Sequence, residues 1–228
     1  MSVDTLPLKE AEILKKIRKK YNVAFEPLKI RDITIELLKV QDLESVLKGK
    51  DPFKNVSEFP FWIKLWESAM ILADVASTLP LQPGARVLEL GAGLGAPGLA
   101  AAAKGFAVTL SDYEQIILDF QRVSAAKSGL DVDIAFVDWN KPPNLESFDV
   151  MMGAEVIFRE DLMAPLLGVF DRLLKPEGTI YLAHDIRRQT LYKFLEIAKD
   201  RYKVMVKKIT LSDGDEDVTV MLNCLKRK

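Results

Sequence analysis

The sequence of 228 residues contains one cysteine, one histidine and almost no excess of charge of either sign. Cys224 has no second cysteine for an internal disulfide, which favours a reducing compartment and a cytoplasmic protein. With a single histidine, no transition-metal site is expected. The 32 basic and 33 acidic residues give a net charge of −1, so neither nucleic acid nor an anionic membrane is indicated as a partner.

Long hydrophobic runs are also missing. No stretch approaches the roughly 18 consecutive apolar residues of a transmembrane helix, and the first residues, MSVDTLPLKEAEILKK, lack the apolar segment of a signal peptide. No serine lies in the glycine-flanked turn that a hydrolase nucleophile requires. We therefore expect a soluble protein whose oligomeric state the sequence leaves open.

After residue 85 the chain alternates regularly between strand-like and helix-like segments. The helical segments have a proline near the first turn or a glycine after the last, as helix ends require. This alternation predicts a parallel sheet covered by helices on both faces, including a short helix before the fourth strand. The predicted strands are RVLEL (86–90), FAVTLSD (106–112), VDIAFVDW (132–139), FDVMMGAEVIF (148–158) and TIYLAHD (179–185).

The C-terminal end breaks this alternation. Two strand-like segments, YKVMVKKITL and EDVTVMLNCLK, are separated only by SDGD, which is too short for a crossover helix and predicts an antiparallel hairpin. The predicted fold is α/β: a Rossmann-like, seven-stranded, mostly parallel sheet with an antiparallel C-terminal hairpin.

An N-terminal α/β extension precedes the sheet. It contains a basic amphipathic helix, LKEAEILKKIRKK, and a strand, ITIELLKV, whose apolar residues alternate. FWIKLWESAMILADVAST is predicted as one helix leading into the sheet. The polar segment GKDPFKNVSE suggests a boundary, with an extension at 1–58 and a main domain at 59–228.

The segment VLELGAGLGAPG, residues 87–98, is a strand followed by a glycine-rich turn and a helix start. Glycines let the backbone pass close to a ligand, and the next helix directs free N–H groups at it. Dinucleotides and S-adenosylmethionine (SAM) both bind such turns, and Asp112, after the second strand, suits the ribose of either. The turn alone does not separate the two cofactors.

Three further features favour SAM. Glu89 lies two residues before the turn, where an acid suits the cationic groups of SAM and repels a pyrophosphate. Asp138 and Trp139 end the third strand, where they suit the adenine amino group and ring, although core packing also explains Trp139. The terminal hairpin is not part of a dinucleotide-binding half. An NAD-linked oxidoreductase and a non-catalytic SAM-binding module remain alternatives.

From residue 61 onward, the chain resembles the seven-strand methyltransferases grouped as methyltransferase family 16, which includes many protein lysine methyltransferases. The resemblance rests on LWESA, VLELGAGLGAPG, SD at 111–112, DW at 138–139, GAEVIF and IR at 186–187. It implies a SAM-dependent methyltransferase acting on a lysine of a protein, with a small-molecule amine as the alternative acceptor. The SAM-binding residues that it implies are Trp66, Gly91, Ala92, Gly93, Asp112, Trp139 and Ala154.

The family's next feature is an acidic residue followed three residues later by an aromatic. Here these residues are Glu155 and Phe158, where the family usually has Asp and Tyr. We expect Glu155 to bind and orient the acceptor and Phe158 to line its alkyl chain. Alternatively, Glu155 caps a helix or pairs with Arg159 or Arg187, and Phe158 belongs to the core. His184 is a weaker candidate for a base.

Overall fold

The computed structural model describes residues 6–42, 46, 60–213 and 216–228. The extension contains α1 (Leu8–Arg18) and two antiparallel strands, β1 (Val23–Ile30) and β2 (Ile33–Val40), which form a separate two-stranded sheet. The predicted helix and the predicted strand ITIELLKV are confirmed as α1 and β2. β1, which contains Pro27, was not predicted. In a two-stranded sheet β1 is an edge strand, where proline is tolerated.

The main sheet has seven strands in the order β5-β4-β3-β6-β7-β9-β8. Only β9 runs antiparallel to its neighbours, so the predicted mostly parallel sheet with a C-terminal hairpin is confirmed. Its strands are β3 (Arg86–Glu89), β4 (Ala107–Asp112), β5 (Asp133–Phe136), β6 (Phe148–Ala154), β7 (Leu174–Asp185), β8 (Tyr202–Asp213) and β9 (Glu216–Arg227). Its helices are α2 (Glu67–Ala76), α3 (Ala96–Ala103), α4 (Gln115–Lys127), α5 (Met163–Leu173) and α6 (Gln189–Ala198).

Several predicted boundaries were wrong. β7 begins at Leu174 and not at residue 179, and β5 ends at Phe136, so Asp138 and Trp139 follow the third strand of the sheet and do not end it. The helix expected from residue 61 begins only at Glu67, after a 3₁₀ turn at Phe61–Ile63 and an extended Lys64. The short helix inferred before β6 is absent, because residues 139–147 form a turn and an irregular segment that contains two consecutive prolines. The fourth strand ends at Ala154, because the next residue, Glu155, adopts a left-handed backbone with φ +54°.

The extension packs directly on the main domain. Two serine hydroxyls, one in α4 and one just after it, accept hydrogen bonds from β2: the Leu38 amide donates to Ser124 Oγ at 2.9 Å and the Glu36 amide to Ser128 Oγ at 2.8 Å. The apolar side of β2 joins the same hydrophobic core as α2 and α3. The boundary predicted at 58 lies outside the described residues. In the part of the chain that is described, no helix is long and apolar enough to cross a membrane.

Candidate active site

The carboxyl ends of the parallel strands bring the predicted site residues to one edge of the sheet. β3 lies between β4 and β6, and the chain order reverses at this point. Ligands of parallel sheets bind outside the carboxyl ends of the strands at such a reversal. The edge therefore collects the glycine turn after β3, Asp112 at the end of β4, Asp138 and Trp139 after β5, and Glu155 after β6.

The glycine turn is built on left-handed backbone. Gly91 has φ +55° and Gly93 has φ +53°, a region in which residues with a Cβ are strained. Between them the Ala92 amide donates to the carbonyl of Ser111 at 2.9 Å. The Gly93 amide donates to Asp112 Oδ2 at 3.1 Å. The turn is thus fixed to the end of β4, and its backbone faces the edge with no side chain on either glycine.

Glu89 is placed inside the protein instead of facing the edge. It is 1% exposed, and its Oε2 accepts a hydrogen bond from the Gly98 amide at 2.7 Å, in the first turn of α3. Burial raises the pKa of Glu89 to about 8. Its carboxyl therefore supports the helix that follows the glycine turn, and its direct contact with SAM stays a prediction.

Asp112 joins the glycine turn to the start of the next loop. Its Oδ2 accepts from Gly93 and its Oδ1 from the Tyr113 amide at 2.8 Å. It is 6% exposed, and burial raises its pKa to about 6. The negative charge of Asp112 also raises the pKa of Glu89. A cation bound at this edge would favour the ionised form of both acids, which fits the ammonium and sulfonium groups of SAM.

Trp139 lies against the glycine turn. Its Cζ2 is 3.9 Å from the position that a Cβ on Gly91 would occupy, and the half-buried ring also packs on the core beside α5. The side chain therefore makes core contacts beside the glycine turn, and its role as an adenine wall stays a prediction. Asp138 holds its own turn, since its Oδ1 accepts from the Asn140 amide at 2.9 Å. Ala154 is half-buried at the end of β6.

The segment before α2 contains two tryptophans, Trp66, which was predicted to lie by the cofactor, and Trp62, which was not predicted as a site residue. Trp66 donates from its Nε1 to the carbonyl of Phe61 at 2.9 Å, under the Lys64 ammonium. Trp62, in contrast, has its Cα 3.7 Å from the position of a Cβ on Gly93. Trp62 thus flanks the glycine turn. The only signal in the sequence was a second tryptophan four residues before Trp66.

Glu155 is bound from two sides, with a partner that was not predicted. Its Oε1 accepts from the Asp185 amide at 2.6 Å and its Oε2 from Arg188 Nε at 2.9 Å, leaving the side chain 11% exposed. The alternative that Glu155 pairs with Arg159 or Arg187 is wrong. Each of those arginines instead binds an aspartate two residues away in the chain.

Two residues near Glu155 differ in burial, since His184 is inside the protein and Phe158 is exposed. His184 is fully buried, and its Nε2 accepts from the Ile157 amide at 3.1 Å. Burial lowers the pKa of His184 to about 3, so the ring is neutral and its accepting nitrogen is already used. His184 is therefore not available as a base. Phe158 is 46% exposed, so the alternative that it belongs to the core is wrong.

Comparison with known proteins assigns this arrangement to a family. The family described as lysine methyltransferase matches residues 61–201, more than half of the chain and all of the site above. The chain belongs to this family. Its enzymes are SAM-dependent methyltransferases, so the resemblance stated from the sequence is confirmed and SAM is the cofactor.

Curated relatives agree with this assignment. The chain is 31% identical over 140 residues to mouse "EEF1A lysine methyltransferase 3", covering 55% of this chain and 56% of the mouse protein. It is 29% identical over 148 residues to "Protein N-lysine methyltransferase METTL21A" of Xenopus tropicalis, covering 61% and 68%. The match therefore spans little more than half the length of the mouse relative.

Solved structures share the fold. A precorrin-6y C5,15-methyltransferase from Geobacter metallireducens has a TM-score of 0.59 at 20% identity, covering 69% of this chain and 88% of that chain. A ribosomal protein L11 methylase from Lactobacillus delbrueckii subsp. bulgaricus has a TM-score of 0.54 at 19% identity, covering 71% and 77%. At these identities the likeness concerns the fold alone.

Proposed function

We propose that the protein transfers the methyl group of SAM to the ε-amino group of a lysine in another protein. The observation that carries this proposal is the match of the family described as lysine methyltransferase to residues 61–201, a range that contains the whole site. Two relatives named as lysine methyltransferases support it. Glu155 supplies a negative charge at the edge where the acceptor would enter.

The chemistry needs a neutral amine held in line with the methyl group. SAM, when bound, supplies a methyl group on a sulfonium, which is a good leaving group. The acceptor nitrogen would take the methyl group with S-adenosylhomocysteine as the leaving group, and one proton would pass from the nitrogen to the protein or to water. Because free lysine has a pKa of about 10.4, the site must first bind the ammonium and assist its deprotonation. Glu155 retains unused lone pairs for this, and the exposed ring of Phe158 can pack on the alkyl chain.

A histidine acceptor is the second candidate. Both carboxylate oxygens of Glu155 already accept hydrogen bonds, one of them from a guanidinium that competes with an incoming ammonium. An imidazole is largely neutral at pH 7 and does not need such a partner. The chain is also 27% identical over 195 residues to "Histidine protein methyltransferase 1 homolog" of Dictyostelium discoideum, covering 78% of this chain and 61% of that protein.

Labelled methyl transfer tests the proposal. The full-length protein is incubated with methyl-labelled SAM and an extract of its source cells, and the products are divided by protease treatment and mass spectrometry. Label on lysine residues of a protein is the expected result, and label on histidine supports the second candidate. Label confined to small molecules would overturn both in favour of a small-molecule amine. A parallel reaction with Asp112→Asn shows which label depends on the SAM site.

A further inference from the structure

The C-terminal half of α1 and the residues after it carry a dense group of exposed cations. None of them forms an ion pair with an acidic side chain in residues 6–42, 60–213 or 216–228. We call this group the α1 basic cluster: Lys15, Lys16, Arg18, Lys19 and Lys20.

The α1 basic cluster is a local patch of positive charge on a chain whose other residues carry a net negative charge. The whole chain has a net charge of −1, so everything outside these five cations carries −6. Proteins that bind nucleic acid through backbone phosphates have a strongly basic domain, whereas this chain has a pI of about 6.0. The charge distribution therefore favours a small acidic ligand over a long polyanion.

Among the described residues, no acidic side chain forms an ion pair with the cluster and relieves the repulsion within it. Lys15 and Lys19, and Lys16 and Lys20, are four residues apart, with the second lysine of each pair just after the last residue of α1, and like charges at this spacing on successive helical turns repel each other. The helix dipole favours cations in the last turn and offsets part of this cost. An acidic ligand across the cluster would remove the rest.

Contacts of Tyr21 and Trp62 connect the cluster to the glycine turn. Tyr21, the residue after Lys20, has its ring centroid 6.3 Å from that of Trp62 and 5.9 Å from that of Phe120. The Cα and Cβ of Trp62 lie 3.7 and 3.9 Å from the position that a Cβ on Gly93 would occupy. Tyr21 and Trp62 thus connect the cluster to the glycine turn. An open depression of about 630 Å³ lies there, lined by Arg18, Lys19, Lys20, Tyr21, Asn22 and Val23.

We propose that the α1 basic cluster docks an acidic segment of the protein that carries the methyl acceptor. This inference rests on the proposed function, because it assumes a protein acceptor. Glutamate and aspartate side chains of that segment pair with the cations while another part of the same protein reaches the cofactor edge. Docking of this kind lowers KM for the protein acceptor and leaves the methyl-transfer step unchanged.

The test compares two triple variants of the full-length protein saturated with SAM. Arg18→Gln, Lys19→Gln and Lys20→Gln together remove three cations of the depression. The matched control combines Lys203→Gln, Lys207→Gln and Lys208→Gln, three exposed cations of β8 at the far end of the sheet. Binding of a fluorescent peptide with a run of glutamates is measured by anisotropy, with the glutamine version of the peptide as reference.

We expect the glutamate peptide to bind the wild type and the β8 control alike, and the α1 variant about tenfold more weakly. Binding should weaken at high salt. Equal binding of the two peptides, or an equal loss in both triple variants, would overturn the proposal. Tighter binding of a labelled single-stranded RNA to the wild type, lost in the α1 variant, would overturn it in favour of nucleic acid. Because the readout involves no methyl transfer, it is independent of whether the proposed function is correct.

Discussion

Arg188 donates from its Nε to the carboxylate of Glu155 at 2.9 Å, across the gap between β6 and the start of α6. The same carboxylate accepts from the Asp185 amide, at the end of β7. Glu155 therefore joins two strand ends and one helix start at the edge where the proposed acceptor would enter. Two roles for Glu155 are compatible with these contacts: binding of the proposed acceptor and anchorage of Arg188.

Substitution of the two partners distinguishes these roles. Glu155→Gln keeps the hydrogen bond to the Asp185 amide but removes the charge, and we expect kcat to fall about a hundredfold with the Kd for SAM unchanged. Arg188→Gln breaks the same ion pair and leaves the carboxylate, so its kcat should fall less than tenfold. Steady-state kinetics and calorimetry measure both. Equal losses in the two variants would mean that Glu155 acts only as an anchor.

Asp112→Asn should weaken SAM binding at least about tenfold, because hydrogen bonds to a charged group contribute about 1.5–3 kcal/mol. The wild type should also lose affinity as the pH falls through about 6, where the buried Asp112 takes up a proton. The variant should lack this pH dependence. Calorimetric titration with SAM at several pH values measures both effects, with exposed Asp131→Asn as the control. Unchanged affinity in Asp112→Asn would refute the placement of Asp112.

The buried carboxyl of Glu89 should make the free energy of unfolding depend on pH in the absence of SAM. Its pKa is about 8 in the folded protein against an ordinary value of 4.5. The folded state thus holds this proton more tightly, and the associated stability is lost as the pH rises from 4.5 through 8. The slope is up to about 1.4 kcal/mol per pH unit.

Urea unfolding between pH 6.5 and 8 measures this slope. In that window Asp112, with a pKa of about 6, is mostly ionised. His184, with a pKa of about 3, is neutral in the fold, and the loss of a proton from its unfolded imidazole near pH 6.5 adds a smaller change of opposite sign. Glu89→Gln keeps an oxygen for the Gly98 amide and should flatten the curve. A wild-type stability that rises across this window would contradict the assignment.

Gly98→Ala should destabilise the protein by about 1–3 kcal/mol, the usual cost of overpacking. The added Cβ would clash with the Leu110 side chain and lie 2.7 Å from Glu89 Oε2. Gly168→Ala is the matched control in α5, where no atom lies within 4 Å of the new Cβ. That control should gain about 0.5–1 kcal/mol from helix propensity. Equal effects of the two substitutions on the midpoint of urea unfolding would show that close packing of α3 on β4 at Gly98 does not require a glycine.

The sequence was sufficient for the fold because its signals are local. Alternating segments bounded by glycine and proline predict a parallel sheet, and SDGD is too short for anything but a hairpin. The errors in the predicted element boundaries have local causes as well. Residues 61–66 look helical because they are apolar and aromatic, but Trp66 has β-region backbone and the helix begins after it.

Which residues stand at the cofactor edge was also readable from the sequence, because strands of a parallel sheet all end on one side. Asp112 and Trp139 are the last residues of predicted strands, and Glu155 lies near the end of another, which the structure ends at Ala154. What each side chain binds was decided only by the tertiary structure. Glu89 turns inward to the Gly98 amide, and Glu155 pairs with Arg188, 33 residues away. Such contacts depend on how strands, helices and loops distant in the chain pack together, and no local pattern encodes that geometry.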